Sequence, residues 1–162
     1  MTVCEKKGCT VINAEGDADC DIVQAAIVAS EHQITTLIGE DADLFILLLH
    51  HMDYRKKTLY FHSDKKSRDQ IRVLNINRLK ECLGHQLCSK LLFIHAFTGC
   101  DTTCRIFGMG KKALFKKSIE GDNVLESSAL SFSKLGPTVD TIAEHGNQSM
   151  VLLFGGKQRD SL

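Results

Sequence analysis

Apolar residues along this chain fall into short runs, separated by acidic or glycine-bearing turns. Asp17–His32 is rich in Ala and reads as a helix, with Asp17, Asp19 and Asp21 in its first turn, where they favour the helix dipole. Ile34–Ile38 is β-branched and apolar, ends at Gly39, and reads as a buried strand. Leu44–His51 is apolar on all sides. Strand and short buried helix both fit it, and the preferred reading is a helix entry running into a buried segment. Thr58–His62 alternates as a strand does, and Ile71–Ile76 reads as another. Asn77 can cap a helix through Arg78–Leu83, which Gly84 ends; Gln86–Phe97 then has a strongly apolar helical face. Thr98–Gly110 is a glycine-containing loop, and Lys111–Glu120 a basic amphipathic helix ending at Gly121. Val11-Ile12, after the turn-like Lys6-Lys7-Gly8, is a further short strand, and the tail holds helices at Asn123–Lys134 and Thr138–His145 before a frayed end from Gly155. Strands alternating with helices predict an α/β layer with a mainly parallel sheet over residues 1–120, and a helical extension over 121–162.

Composition alone argues against a nucleic-acid binder. The 162 residues suit one domain, 43% hydrophobic and 25% charged, with one Pro, no Trp and zero net charge. Position reverses that inference. Residues 1–54 hold ten acids and two bases, a net of −8; residues 55–117 hold fifteen bases and four acids, a net of +11; the remainder is −3. An acidic start beside a basic middle suits a surface that binds cations and a polyanion together. The alternative is charge alternating along a solvated surface.

Seven cysteines, with no Cys-x-x-Cys, exclude a standard zinc knuckle. Several lie in apolar runs, where the reduced residue is a small core hydrophobe, so a reducing, intracellular compartment is expected. The first ten residues hold no apolar run, and Leu44–Leu49, the longest apolar stretch, is too short to span a bilayer. The sequon Asn147-Gln-Ser149 is therefore expected to be inert.

Three acidic islands follow apolar segments: Glu15-Gly-Asp17-Ala-Asp19, Glu40-Asp41-Ala-Asp43, and Asp101 in Thr98-Gly-Cys-Asp-Thr-Thr103. In open α/β sheets ligands bind beyond the carboxyl ends of strands. Residues two apart in extended chain point the same way, so Glu15 with Asp17 and Asp41 with Asp43 could each offer two carboxylates to one metal cluster. Oxygen donors of this kind suit Mg²⁺, and two such ions can clamp the attacking and leaving oxygens of a phosphodiester. The competing reading makes the same acids helix caps and strand flanks. An EF-hand is excluded, because Ile22 and Val28 occupy the places of its Gly and Glu after Asp17. Gly108-x-Gly110-x-x-Ala113 follows no strand, so it is no dinucleotide fingerprint. His50, His51 and His95 sit on apolar runs and read as core or half-buried histidines.

Gly108 and Gly110 precede Lys111, Lys112, Lys116 and Lys117. A Gly-x-Gly turn opening a helix exposes backbone N–H groups to a phosphate, and the lysines add positive charge without base preference. This resembles the helix–hairpin–helix device that grips a duplex backbone.

Taken together, Glu15-Gly-Asp17-Ala-Asp-Cys20, Gly39-Glu-Asp41-Ala-Asp43-Leu44 and Gly99-Cys-Asp101…Gly108-Met-Gly110-Lys-Lys112-Ala113 resemble, in order and spacing, the internal region of the flap endonuclease/XPG-type 5′ nucleases over residues 8–120. The Thr-Gly-Cys-Asp-Thr-Thr segment also resembles animal members of that family. The resemblance implies a three-layer PIN-like fold, with the N-terminal part missing. It implies two Mg²⁺ (or Mn²⁺) ions, the first on Glu15 and Asp17 and the second on Asp41, Asp43 and Asp101, these five being the catalytic and metal residues. It further implies backbone binding by Gly108, Gly110, Lys111, Lys112 and Lys116. The expected partner is nucleic acid, DNA in preference to RNA, with no membrane and a nuclear location. The expected activity is structure-specific phosphodiester hydrolysis by an incomplete module. The alternative is a non-catalytic nucleic-acid-binding or scaffold relative.

Overall fold

The computed structural model describes residues 3–53, 56–64, 72–100, 103–104, 111–121, 123–133 and 136–154. Helix α1 is one turn, Val3–Lys6. The segment through Val11-Ile12 forms no strand, and Ile12 is exposed. Two apolar residues with neither an alternating flank nor a pairing partner cannot sustain a ladder. Helix α2 spans Asp19–His32, β1 Thr35–Gly39, and α3 Ala42–His51. Strands β2 (Leu59–Ser63) and β3 (Arg72–Asn75) follow, then α4 (Ile76–Leu83) and α5 (His85–Phe97). The last three helices are α6 (Lys111–Ile119), α7 (Asn123–Ser133) and α8 (Val139–Leu153).

The fold is α/β, a small sheet flanked by helices. Its order is β1-β2-β3, with β1 parallel to β2 and β2 antiparallel to β3. The sheet is thus mixed rather than mainly parallel. Two parallel strands need a crossover, which α3 supplies, whereas β3 returns directly beside β2. Leu37, Leu59 and Phe61 share one face and pack with Val23 of α2, Leu44, Leu48 and Leu49 of α3, and Ile76 of α4. Across the opposite face Ile38, His62 and Val73 form one row, with Ile38 62% and Val73 51% exposed. The described elements therefore supply two of the three expected layers.

Asn75, rather than Asn77, caps α4 by accepting the Arg78 N–H at 3.0 Å. The Asn77 side chain instead ties α4 to the start of β2: its Oδ1 accepts the Leu59 N–H at 2.8 Å, and its amide donates to Lys56 O at 3.2 Å. Gly84 ends α4 and opens α5 with φ near +78°, a left-handed backbone that a side chain would strain. Lys80, buried on α4, closes the end of α3 by donating to the carbonyls of His50 (2.9 Å) and Met52. Donors of this kind satisfy carbonyls that a helix end leaves unpaired.

Helix α5 belongs to two apolar clusters. Cys88 and Leu91 join the sheet-side core. Leu87, Phe93 and Ile94 join a second one with Leu114 of α6, Leu125 and Ala129 of α7 and Leu153 of α8. Helix α8 runs well past the expected end at His145, because Val151 and Leu153 are buried. It carries the Asn147-Gln-Ser149 sequon inside it: Ser149 is buried and donates to Ser128 Oγ at 2.9 Å.

Candidate functional site

Helices α3 and α5 lie antiparallel and are joined at both ends. Near the end of α3, His50 Nδ1 donates to the Cys88 carbonyl at 3.3 Å, which fixes the proton on that nitrogen. At its start, His95 Nε2 lies 2.7 Å from Asp43 Oδ1. His95, 9% exposed, comes from the last turn of α5, and Asp43 from the first turn of α3. Asp43 stands there because Asp41 caps α3, its Oδ1 accepting the Asp43 N–H at 3.1 Å. The Asp41 cap in turn follows the close passage of Gly39 beside the α3 core: a Cβ at Gly39 would come within 2.7 Å of Leu44 Cδ1.

Glu15 and Asp17 are exposed in the turn before α2, where Asp17 Oδ1 accepts the Asp19 N–H at 3.2 Å. Only Gln33 and Ile34 join α2 to β1, and the two pack together, so the start of α2 and the end of β1 lie at one end of the layer. The expected rim required Glu15 and Asp17 to follow a strand parallel to β1, and no strand precedes them among the described residues. The two acidic turns do not share a cluster. Among the described residues, the group of three or more metal-donor side chains with atoms within 4.8 Å of one another is Asp43, His95 and Cys100. Glu15, Asp17 and Asp41 stand outside it, and the carboxylates of Asp17 and Asp41 are engaged in backbone capping. Asp101, Gly108 and Gly110 lie outside the described residues, as does the Lys111 side chain, although Lys111 opens α6.

This donor set does not suit Mg²⁺, which requires oxygen ligands in octahedral array and excludes thiolate. The Asp43, His95 and Cys100 group is therefore not the magnesium site that the resemblance implies.

A cleft of about 210 Å³ opens between α3, α5 and α6. Ile46, Leu91, Ile94 and Phe115 give it apolar walls, and its polar lining residues are His95 and Lys112. Sequence reasoning placed Lys112 in a phosphate grip but read His95 as a core histidine. A signal was present: His95 and Cys100 are five residues apart, flanking the end of an otherwise apolar helix. What the sequence could not supply was Asp43, 52 residues away. Helix α6 presents Lys112 and Lys116 to solvent, with Lys116 79% exposed and 3.9 Å from Glu120. Such a surface pair contributes little.

No family model, curated protein or solved structure matches the chain. Among the described residues, no helix is long and apolar enough to cross a membrane.

Proposed function

We propose that this chain is a nucleic-acid-binding module of the flap endonuclease/XPG type, which holds the phosphate backbone along α6 beside the Asp41–Asp43 turn. One observation carries this reading: Lys112 and the Asp43-bonded His95 line the same cleft. Lys112 and Lys116, exposed along α6, supply positive charge for a phosphate backbone without base preference. DNA in preference to RNA, and a nuclear location, belong to this reading.

Metal-dependent phosphodiester hydrolysis is the second reading, favoured by the paired carboxylates of the Glu15–Asp17 and Asp41–Asp43 turns. It requires further carboxylates to complete an oxygen-donor site for Mg²⁺ or Mn²⁺, with Asp101 the candidate in this chain.

The test is fluorescence anisotropy with a duplex bearing a single-stranded 5′ flap, titrated at several salt concentrations. Lys112→Ala with Lys116→Ala should weaken binding roughly tenfold and reduce the salt slope by about two. Unchanged affinity and slope would remove α6 from the interface. Incubating the same duplex with Mg²⁺ or Mn²⁺ separates the readings. Cleavage that disappears in Asp41→Ala and Asp43→Ala establishes the second reading; binding without cleavage leaves the first.

A further inference from the structure

We propose that Asp43, His95 and Cys100 form a binding site for a single Zn²⁺ ion, distinct in donor chemistry from a magnesium centre; it shares Asp43 and His95 with the reading above, but metal retention tests it without nucleic acid. The three donors come from separate places: the first turn of α3, the last turn of α5, and the segment that follows α5. Their ligand atoms all lie within 4.8 Å of one another. A tetrahedral zinc ion, about 2.0 Å from oxygen and nitrogen and about 2.3 Å from sulfur, holds its ligands roughly 3.3–3.7 Å apart. The set is therefore close to coordination distance before any ion enters. The Asp43–His95 pair, at 2.7 Å, must open by about half an ångström, and a separation at the 4.8 Å limit must close by roughly an ångström. Asp43, with its side chain 23% exposed, has room to move.

The supporting contacts hold the other two donors in place. Thr103 Oγ1 donates to the Ala96 carbonyl at 2.7 Å and accepts the Cys100 N–H at 3.1 Å. Its oxygen also stands 3.3 Å from Cys100 Sγ, and Cys100 and Thr103 form a short antiparallel bridge. This folds the chain back over the end of α5, with the Cys100 sulfur within 4.8 Å of the Asp43 and His95 donor atoms. Thr98 Oγ1, buried, donates to the Ile94 carbonyl at 2.6 Å and closes the helix end that carries His95. Secondary contacts of this kind fix the orientation of metal ligands.

A carboxylate oxygen, an imidazole nitrogen and a thiolate sulfur together select a borderline-soft ion. Three protein ligands leave the fourth tetrahedral position to water or a further donor. On binding, the Cys100 thiol gives its proton to solvent, the neutral imidazole offers one nitrogen lone pair, and the carboxylate coordinates through one oxygen.

The test uses the full chain, stripped with a chelator and reloaded with one equivalent of Zn²⁺ or, as a spectroscopic substitute, Co²⁺. The expected result is one equivalent retained after desalting. With Co²⁺, visible bands of a tetrahedral site and a near-ultraviolet sulfur-to-metal band should appear, and Mg²⁺ in large excess should displace neither. Cys100→Ser should abolish the sulfur band, and His95→Gln should abolish retention. Thr103→Val, which removes only a supporting contact, should weaken binding about tenfold. Circular dichroism of each metal-free variant checks that it folds, and Cys100→Ser changes a single atom. Cys82→Ser and Cys104→Ser, both at exposed cysteines, should bind as the parent does. The proposal is overturned if the parent retains no metal. It is equally overturned if retention and the sulfur band survive in Cys100→Ser, or follow Cys82 or Cys104 instead.

Discussion

Around β1 and β2 the interior is mainly apolar: Leu37, Leu48, Leu59, Phe61 and Ile76 meet there, all within the most buried part of the chain. Its deepest hydroxyl, Ser30, turns back onto its own helix and donates to Ile27 O at 2.6 Å. Between α7 and α8 the arrangement differs. Ser149 donates to Ser128 at 2.9 Å, and Ser128 donates to the His145 carbonyl at 3.2 Å, with both serines fully buried. The sheet half is held by area removed from water, and it tolerates loss of volume poorly. The helical half is held partly by hydrogen bonds, which add modest net stability when made but cost more when one partner is left alone.

The sharpest test compares one large deletion on each side. Leu48→Ala should destabilise by about 3–5 kcal/mol and Leu125→Ala by about 2–4 kcal/mol, because each empties a fully buried site. Chemical denaturation followed by fluorescence of an introduced probe in each half should give one coincident transition. Two transitions would mean that the halves are separate units. Next in size, Ser128→Ala strands the Ser149 hydroxyl and should cost about 1–2 kcal/mol. A neutral outcome would show that the α7–α8 contact does not depend on its hydrogen bonds.

A smaller effect concerns His50, at the α3–α5 junction. Burial, above all, pushes its imidazole below the ordinary value of 6.5; the Cys88 carbonyl opposes this, and neighbouring His51, Lys80 and His85 reinforce it. The unfolded chain therefore takes up a proton before the folded chain does. Stability falls as the pH drops from 6.5 to the lowered folded value and levels off below it. Unfolding midpoints at about pH 7.5 and about pH 5.5 should differ in the parent and less so in His50→Gln. An equal difference in both would assign the pH response to other groups. Smallest of all, Ser118→Ala should lose nothing, because that buried hydroxyl has no partner among the described residues. A clear loss there would reveal a bond supplied from elsewhere.

Much of the fold was legible because local signals agree with burial. Gly39 and Gly84 end a strand and a helix where the sequence places those ends, and the all-round apolar Leu44–Leu49 run became a helix packed from several sides. The direction of β3 was not legible. Strand pairing is set by neighbours distant in sequence, and nothing in Arg72–Asn75 encodes whether it runs with β2 or against it. The acidic residues were legible as two turns, one before α2 and one between β1 and α3. Their chemistry was not, because Asp17 and Asp41 are short acids whose oxygens find the backbone N–H two residues on before they find one another. Asp43 escapes that local capture and meets an imidazole instead. Pattern reading ranks His95 as a core residue, since the helix bearing it is apolar and its partner lies on a different element.

Helix α5 presents Cys88 and Leu91 to the sheet and Leu87, Phe93 and Ile94 to the helices behind it. The protein consequently offers no good place to cut. A fragment ending at Gly84 would expose the side of the sheet core that α5 seals. One beginning there would carry an uncovered apolar stripe and lose Asp43 from the partner of His95. Anyone dividing this chain for expression, or grafting one half onto another scaffold, must carry α5 with both pieces.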